Sequence, residues 1–340
     1  MIQMQHGAKI TGTGSALPEM RVSNQDIVAR LAVNSVETSN QWIRERTGIS
    51  ERRFSDLSNP HEHNSSLGFT AATKALEMAG KHPGEIDQII YATCSPDTLL
   101  PSTACWLQHK LGAVNAWAMD LNGACSGFIY GLGVAEQFIG TGKTKTALVV
   151  GGEVLHPYIN WEDRNSSILF GDGAGAAVVA AAPADTPRRI LSSHLKSDGH
   201  LWELLIMPGG GSSMEVTPEV YAQNLHKLRM SGKEIFKAAV RTLSEYAHIA
   251  LDANGMTIED IDWFLPHQAN RRILEAVAQR LRIPDQKVLI NLDRYGNTSA
   301  ATVPILLDEA VRDGRIQPGH LILMDVFGAG LTYGSLLMRW

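Results

Sequence analysis

The stretch ALEMAGKHPGEIDQIIY, residues 75–91, returns in altered form as ALDANGMTIEDIDWFLP, residues 250–266. Ala75 and Ala250, Leu76 and Leu251, Gly80 and Gly255, Ile86 and Ile261, and Asp87 and Asp262 match at one offset of 175 residues (250 − 75, 262 − 87). Each copy reads as the end of a helix, a glycine stop, and a short apolar run of the kind that forms a strand buried on both faces. A second pair, TALVVGGEV (146–154) and HLILMDVFG (320–328), repeats at 173–174 residues. Helix–turn–strand units all share a family likeness. Two pairs at nearly one spacing nevertheless point to a duplicated α/β unit. The join falls in the polar, proline-containing AAPADTPRR (181–189), which divides the chain into residues 1–183 and 184–340.

Outward from the repeat, IDQIIYATC (86–94), AGAAVVAAA (174–182) and IDWFLPH (261–267) read as further buried strands. Helix-length segments such as SSLGFTAATKALEMAG (65–80) and EIFKAAVRTLSEYAHIALDANG (234–255) lie between them. The alternation predicts a layered α/β architecture.

The chain has 340 residues, 44% hydrophobic and 19% charged, enough for a large core without covalent staples. A net charge of −5 argues against a general nucleic-acid binder. Three cysteines, Cys94, Cys105 and Cys125, give neither a disulfide framework nor a zinc ladder. No run approaches the ~18 apolar residues of a membrane span. The N-terminus lacks the basic and apolar regions of a secretory signal, so a cytoplasmic location is expected.

Two glycine-rich strings are misleading. GTGKTK (140–145) has Gln137 where a phosphate loop needs glycine, and it lies between a helix and a strand, the reverse of the required order. GDGAGA (171–176) leads into a strand rather than a helix, so it is not a dinucleotide fingerprint. The histidine of PHQAN has no partner at metal-ligand spacing, and no metal is expected.

The chemistry sits elsewhere. In NGACSGF (122–128), Cys125 precedes a helical run, where a helix N-terminus favours the thiolate. Taken alone, a free cysteine is more often a buried, inert one. His267 stands where an apolar strand gives way to a helix, the usual ligand end of an α/β sheet. Asn297 lies in DRYGNTSAA, and VFGAGLTYG (326–334) is a glycine-rich turn able to aim N–H groups at an oxyanion. Nucleophile, imidazole, amide donor and oxyanion loop are together what thioester chemistry at carbon requires.

With these strings assembled, NGACSGF, PHQAN, YGNTSAA, FGDGAGAA and FGAGLTYGS, the sequence resembles the 3-oxoacyl-[acyl-carrier-protein] synthase III family from ITGTGSALPE (10–19) to Trp340. The resemblance implies a thiolase-like fold, two similar halves in α-β-α-β-α layers, and a homodimer. It implies an acyltransferase in which an acyl-CoA primer loads Cys125 and malonyl-acyl-carrier-protein decarboxylates beside His267 and Asn297. The N–H groups of Cys125 and Ala329 would hold the oxyanion, with Phe327 beside the nucleophile. Ala329 stands where glycine is common, which puts the loop geometry in question. The resemblance further places Trp42, Arg46, Arg164, Gly232, Phe236 and Asn270 against CoA, and Leu100 in the acyl pocket of the other subunit. CoA enters as substrate, and no resident cofactor is implied.

The helix RRILEAVAQRLR (271–282) carries an apolar stripe of Ile273, Leu274, Val277 and Leu281, leaving Arg272, Gln279 and Arg280 facing solvent. Arg272, Arg280 and Lys237 would form a local basic patch suited to an acidic carrier protein. Among rivals of the same fold, a biosynthetic thiolase needs a second cysteine after Cys125, and none occurs. A hydroxymethylglutaryl-CoA synthase would replace the asparagine role with glutamate, and a chalcone-synthase-like enzyme fits the surrounding strings less well. A synthase III-like condensing enzyme or acyltransferase of secondary metabolism is the alternative that keeps every residue named.

Overall fold

The computed structural model describes residues 5–340. In chain order its first part comprises β1 (His6–Ala16), β2 (Met20–Ser23), α1 (Asn24–Val33), α2 (Asn40–Thr47), β3 (Glu51–Phe54), α3 (Asn64–Ala79), β4 (Gln88–Ala92), α4 (Thr103–Leu111), β5 (Trp117–Leu121), α5 (Gly127–Gly140), β6 (Thr146–Glu153), α6 (Arg164–Ser167) and β7 (Gly173–Pro183). There follow β8 (Ile190–Ser197), β9 (Leu205–Ile206), α7 (Pro218–Ala222), β10 (Arg229–Met230), α8 (Gly232–Asp252), β11 (Trp263–Pro266), α9 (Arg271–Leu281), α10 (Leu292–Tyr295), α11 (Thr302–Arg312), β12 (Leu321–Gly328) and β13 (Thr332–Arg339).

Two sheets carry the architecture. The first has the order β1-β7-β6-β4-β5, the second β8-β13-β12-β11. Both run antiparallel, antiparallel, then parallel, and an isolated parallel bridge from Phe264 to Val288 extends the second sheet where β5 extends the first. Gln88 faces Ala147 in the first sheet and Trp263 faces Ile322 in the second, so both pairs recur 175 residues on (263 − 88, 322 − 147).

The repeated residues do the same work twice. Gly80 and Gly255 adopt φ of 61° and 62° as their helices end. The backbone N–H of Asp87 donates to Thr146 O and a carboxylate oxygen of Asp87 accepts from Thr146 N; Asp262 makes the same two bonds with Leu321. The second pair of strings thus also sits at 175 residues (321 − 146), one more than the longest offset read from the sequence.

Three cores separate five layers. Ala71, Ala75 and Leu76 of α3 and Leu107 of α4 pack with Ile89, Tyr91 and Val178 on the outer face of the first sheet. Phe128 and Leu132 of α5 and Val303 and Leu307 of α11 fill the space between the sheets, against Ile90 and Val149 on one side and Ile322 and Met324 on the other. Leu243 and Ala247 of α8 and Leu274's neighbours Ile273 and Val277 of α9 cover the outer face of the second sheet. The resulting order is α3/α4, sheet, α5/α11, sheet, α8/α9. A fourth core, with Ile27, Ile43, Phe54 and Ile168, gathers β2, β3, α1 and α2 beside the site.

Candidate active site

The site is built where strands of both sheets end. After β5, the Asn122 side chain accepts the N–H of Ala124 at 3.2 Å, and Ala124 takes a φ of 46°. The single turn Ala124–Ser126 places Cys125 directly ahead of α5. The second half clamps this turn: Ser126 Oγ donates to Thr332 O at 3.0 Å, and Thr332 Oγ1 donates to Gly123 O at 2.8 Å. Gly328 closes the clamp. A Cβ on it would sit 2.8 Å from the backbone nitrogen of Cys125, nearer than a carbon can come.

His267 follows β11. Its N–H donates to Asp325 O at 2.8 Å, and the next residue, Gln268, ties Pro266 O and Leu289 O to the backbone of Asn291. Asn297 is held by Leu169 and Gly171 through backbone bonds of 2.9 and 3.0 Å, and its Oδ1 accepts the N–H of Ser299 at 2.9 Å. With Oδ1 spent in this way, the NH₂ group remains to donate to a ligand.

Cys125, His267 and Asn297 line one cavity of about 700 Å³, together with Phe327, Trp42, Arg46, Gly232, Phe236, Lys237, Asn270 and Arg272. Among the described residues, the charged side chains on its walls are Arg46, Lys233, Lys237 and Arg272, and no carboxylate lines it. Such a passage attracts an anionic ligand even in a chain that is acidic overall.

Not every residue named from the sequence is on the wall. Arg164 lies outside it and stacks on Trp42, with its guanidinium carbon 4.3 Å from the ring centre, while Arg46 approaches the same ring at 5.5 Å. Ala329 follows the wall residue Gly328, and its φ is not positive; Gly330 takes that role with φ of 131°. Alanine at position 329 therefore strains nothing. Arg280 is exposed on α9, beyond the cavity. Leu100 is 88% exposed and is not on this cavity's wall. Asn270 also serves the fold, capping α9 through Arg272 N and donating to Arg46 O.

Electrostatics modify one expectation. Burial pushes the Cys125 thiol up to about 11, against the downward pull of the Ser299 side chain and of its own backbone N–H. A helix N-terminus alone does not leave a resting thiolate when the sulfur is this deeply desolvated. Burial holds His267 down at about 3, so the imidazole is neutral, and its Nδ1 has no hydrogen-bond partner among the described residues. Behind the cysteine, Glu153 accepts from Ser95 Oγ, Thr93 Oγ1 and the N–H and thiol of Cys94.

The comparisons follow the same outline. The model of 3-oxoacyl-[acyl-carrier-protein (ACP)] synthase III matches residues 119–199, and that of its C-terminal part matches residues 251–340. A beta-ketoacyl-[acyl-carrier-protein] synthase III of Caldanaerobacter subterraneus is 49% identical over 98% of this chain and 98% of its own. The chain belongs to the synthase III family. The crystal structure of the Aquifex aeolicus synthase III superposes with a TM-score of 0.88 at 42% identity, covering 98% of this chain and 100% of that one. The priming β-ketosynthase of the R1128 polyketide pathway does so with a TM-score of 0.88 at 35% identity, covering 100% and 98%. The architecture is accordingly the thiolase-like fold shared by synthase III structures.

Sequence reasoning passed over Lys233, Ser299, Glu153 and the buried Arg52, which donates to Asn24 Oδ1 and Ile168 O behind the asparagine loop. The serine was in view within YGNTSAA, but a small hydroxyl gives no sequence signal of its own.

Proposed function

We propose that this chain performs the initiating condensation of fatty acid synthesis, joining an acyl-CoA primer to malonyl-acyl-carrier-protein, with Cys125 as acyl carrier. The observation that carries the reading is the meeting of Cys125, His267 and Asn297 in one cavity with only basic charges on its walls. The Cys125 thiol attacks the primer thioester. Its proton leaves on CoA as the free thiol, and acyl-cysteine remains. The malonyl group then loses CO₂, and the enolate left on its thioester is stabilised by donation from neutral His267 and the Asn297 NH₂. The enolate carbon attacks the acyl-cysteine carbonyl, whose oxyanion is held by the N–H groups of Cys125 and Ala329. Collapse releases 3-oxoacyl-carrier-protein and a Cys125 thiolate that takes a proton from solvent. This balance uses acyl-CoA as a substrate and needs no resident cofactor.

Neutral imidazole suits the second step, because a charged one would hold the malonyl carboxylate and oppose its departure as neutral CO₂. The adenine of CoA enters between Trp42 and Arg164. At 4.3 Å their own stack leaves no room for a ring, so the nucleotide replaces that contact. Arg46, Gly232, Phe236 and Asn270 line the pantetheine passage, and Lys237, Arg272 and Arg280 receive the acidic carrier protein.

The free edge of the first sheet supports a homodimer. β5 is a half-exposed edge strand, and Leu99, Leu100 and Val114 near it are 85%, 88% and 81% exposed. A second copy would bury them and bring Leu100 toward its partner's acyl pocket. No helix among the described residues is long and apolar enough to cross a membrane, and the substrates proposed here favour a cytoplasmic reaction.

The test is mass analysis of the intact protein and its peptides after mixing with an acyl-CoA series, followed by a malonyl-carrier-protein chase. An acyl group on Cys125 that the chase removes as 3-oxoacyl-carrier-protein supports the reading. Acylation without discharge would assign the cysteine chemistry to another acceptor, such as one of secondary metabolism.

A further inference from the structure

Two arginine–tryptophan stacks stand side by side near the mouth of the cavity. One is Arg164 on Trp42, at 4.3 Å. The other is Arg30 of α1 on Trp161, with its guanidinium carbon 4.0 Å from the ring centre. The connection between α1 and α2 ties the two together. Asn34 Nδ2 donates to Trp161 O at 3.3 Å, and Arg164 donates to Glu37 O at 3.0 Å. Both pairs step by three residues (37 − 34, 164 − 161), and a three-residue step spans at most about 11 Å of backbone. The loop that carries Trp161 and Arg164 is held from within. Asp163 accepts from Asn165 N at 2.9 Å and from Ser166 Oγ at 2.6 Å, and Phe54 meets the Trp161 ring edge-on at 6.4 Å.

A third cation joins the second stack. Lys227 Nζ donates to Pro157 O, just ahead of that loop, at 2.5 Å. Burial and the charge of Arg30 pull the Lys227 ammonium below its ordinary value. Cations gathered in this way repel, and an anion between them offsets the repulsion. Among the described residues, Arg30, Arg164 and Lys227 have no ion-pair partner. The Asp163 carboxylate is spent on its own loop, and Glu37 and Glu162 are exposed. Arg30 and Lys227 are also off the cavity wall, whose cations are Arg46, Lys233, Lys237 and Arg272. The wall cations face the diphosphate that leads inward to pantetheine. An anion held by Arg30 and Lys227 is therefore a different group, on the outer side of the adenine stack.

We propose that Arg30 and Lys227, ordered by Trp161, form a subsite for the phosphate on the ribose 3′-oxygen of CoA. This rests on the acyl-CoA reading above. A guanidinium laid on an indole keeps its N–H edge free for two parallel bonds to phosphate oxygens, and it loses little freedom in making them. The subsite favours primers carried on a 3′-phosphorylated nucleotide. An acyl group carried on pantetheine alone, as on a carrier protein, has no such phosphate, so the loading step is kept apart from the extension step.

The experiment is calorimetric titration of the full-length protein with CoA and with dephospho-CoA, which differ only in this phosphate. Wild type, Arg30→Met and Lys227→Met are compared; methionine keeps a thioether on the indole face without the charge. Wild type is expected to bind CoA about tenfold or more tighter than dephospho-CoA. Each variant is expected to lose most of that gap through weaker CoA binding, with the dephospho-CoA affinity and the melting temperature unchanged. Equal affinities in wild type, or no binding of either ligand, overturn the proposal. So does an equal weakening of both ligands in the variants, since the cations would then serve the diphosphate or the loop. Neither ligand carries an acyl group, so the titration is independent of the chemistry. If CoA is preferred but acetyl-CoA never acylates Cys125, the subsite stands and the condensation reading fails.

Discussion

His267 couples the chemistry of the site to the stability of the fold in a way that can be measured without substrate. In the unfolded chain its imidazole takes a proton near 6.5, whereas burial in the folded protein holds it at about 3. The folded value is depressed, so the folded state resists protonation. The stability tied to this group is whole above pH 6.5 and is lost as the pH falls toward 3. At pH 5 the unfolded histidine is almost fully protonated and the folded one is not. The loss relative to pH 8 is then about 2 kcal/mol, from 1.36 kcal/mol per unit over roughly 1.5 units. His267→Gln keeps a polar side chain but removes the titration. The assay is urea unfolding followed by tryptophan fluorescence at pH 5 and pH 8, in both proteins. Buried Glu153 and Asp325 have raised values and oppose the trend, because their contribution is present in acid and lost as pH rises. They act equally in both proteins and cancel from the difference. The wild type is expected to lose about 2 kcal/mol more than the variant between the two pH values. Equal losses would show that His267 is charged or solvated in the folded protein, and the neutral-donor role would fall with it.

Gly328→Ala places a methyl 2.8 Å from the backbone nitrogen of Cys125. Acyl transfer should fall by about 10²-fold or more, as for loss of an oxyanion donor, with folding cost limited to about 1–3 kcal/mol; stopped-flow CoA release and thermal melting separate the two. Arg52→Met leaves Asn24 Oδ1 and Ile168 O without their donor in a fully buried position and should cost about 2–4 kcal/mol in urea unfolding. Leu100→Phe should depress turnover of butyryl-CoA relative to acetyl-CoA, because the larger ring fills the partner's acyl pocket. Equal ratios in the two proteins would remove Leu100 from primer selection.

The sequence was most legible where the fold repeats itself. Asp87 and Asp262 were visible as matched letters, and each turned out to anchor a central strand by the same pair of bonds. Strands buried on both faces, such as β6 and β12, announce themselves as unbroken apolar runs. β1, β5, β8 and β13 of the two sheets were missed, each for a physical reason. β1 is an edge strand whose HGAKITGTGSA breaks up its apolar residues with glycines and threonines. β5 is a half-exposed edge with the mixed sequence WAMDL, β8 is mostly polar (ILSSHLKS) and largely half-exposed or exposed, with no two-residue period, and β13 begins inside a string that reads as a glycine turn. The cysteine, histidine and asparagine could be named because each closes a strand–helix junction. The thiolate expected at Cys125 could not be judged from the sequence, since local helix geometry is visible there and the depth of burial is not.

Duplication also accounts for how this site came to hold three different chemical groups. Two copies of an asparagine turn, each ahead of a central helix, face each other between the sheets. A symmetric pair would present two equivalent sites and no directed reaction. Here the positions have diverged: Cys125 stands opposite its counterpart Ala300, and Ser299 opposite Ala124. Asn122 and Asn297 keep the same turn bond through Oδ1, so that bond belongs to the scaffold. Of the two turn asparagines, Asn297 lines the cavity with His267 and Cys125, while Asn122 is not on that wall. One end of the Asn297 side chain therefore serves the turn, and under the proposed mechanism the other end serves the chemistry. Asn297→Asp separates the two: its carboxylate still accepts the Ser299 N–H and preserves the turn, but it can no longer donate to the enolate. Decarboxylation of malonyl-carrier-protein should fall by at least about 10²-fold while acylation of Cys125 proceeds. Loss of both half-reactions together would mean that the amide acts only through the turn.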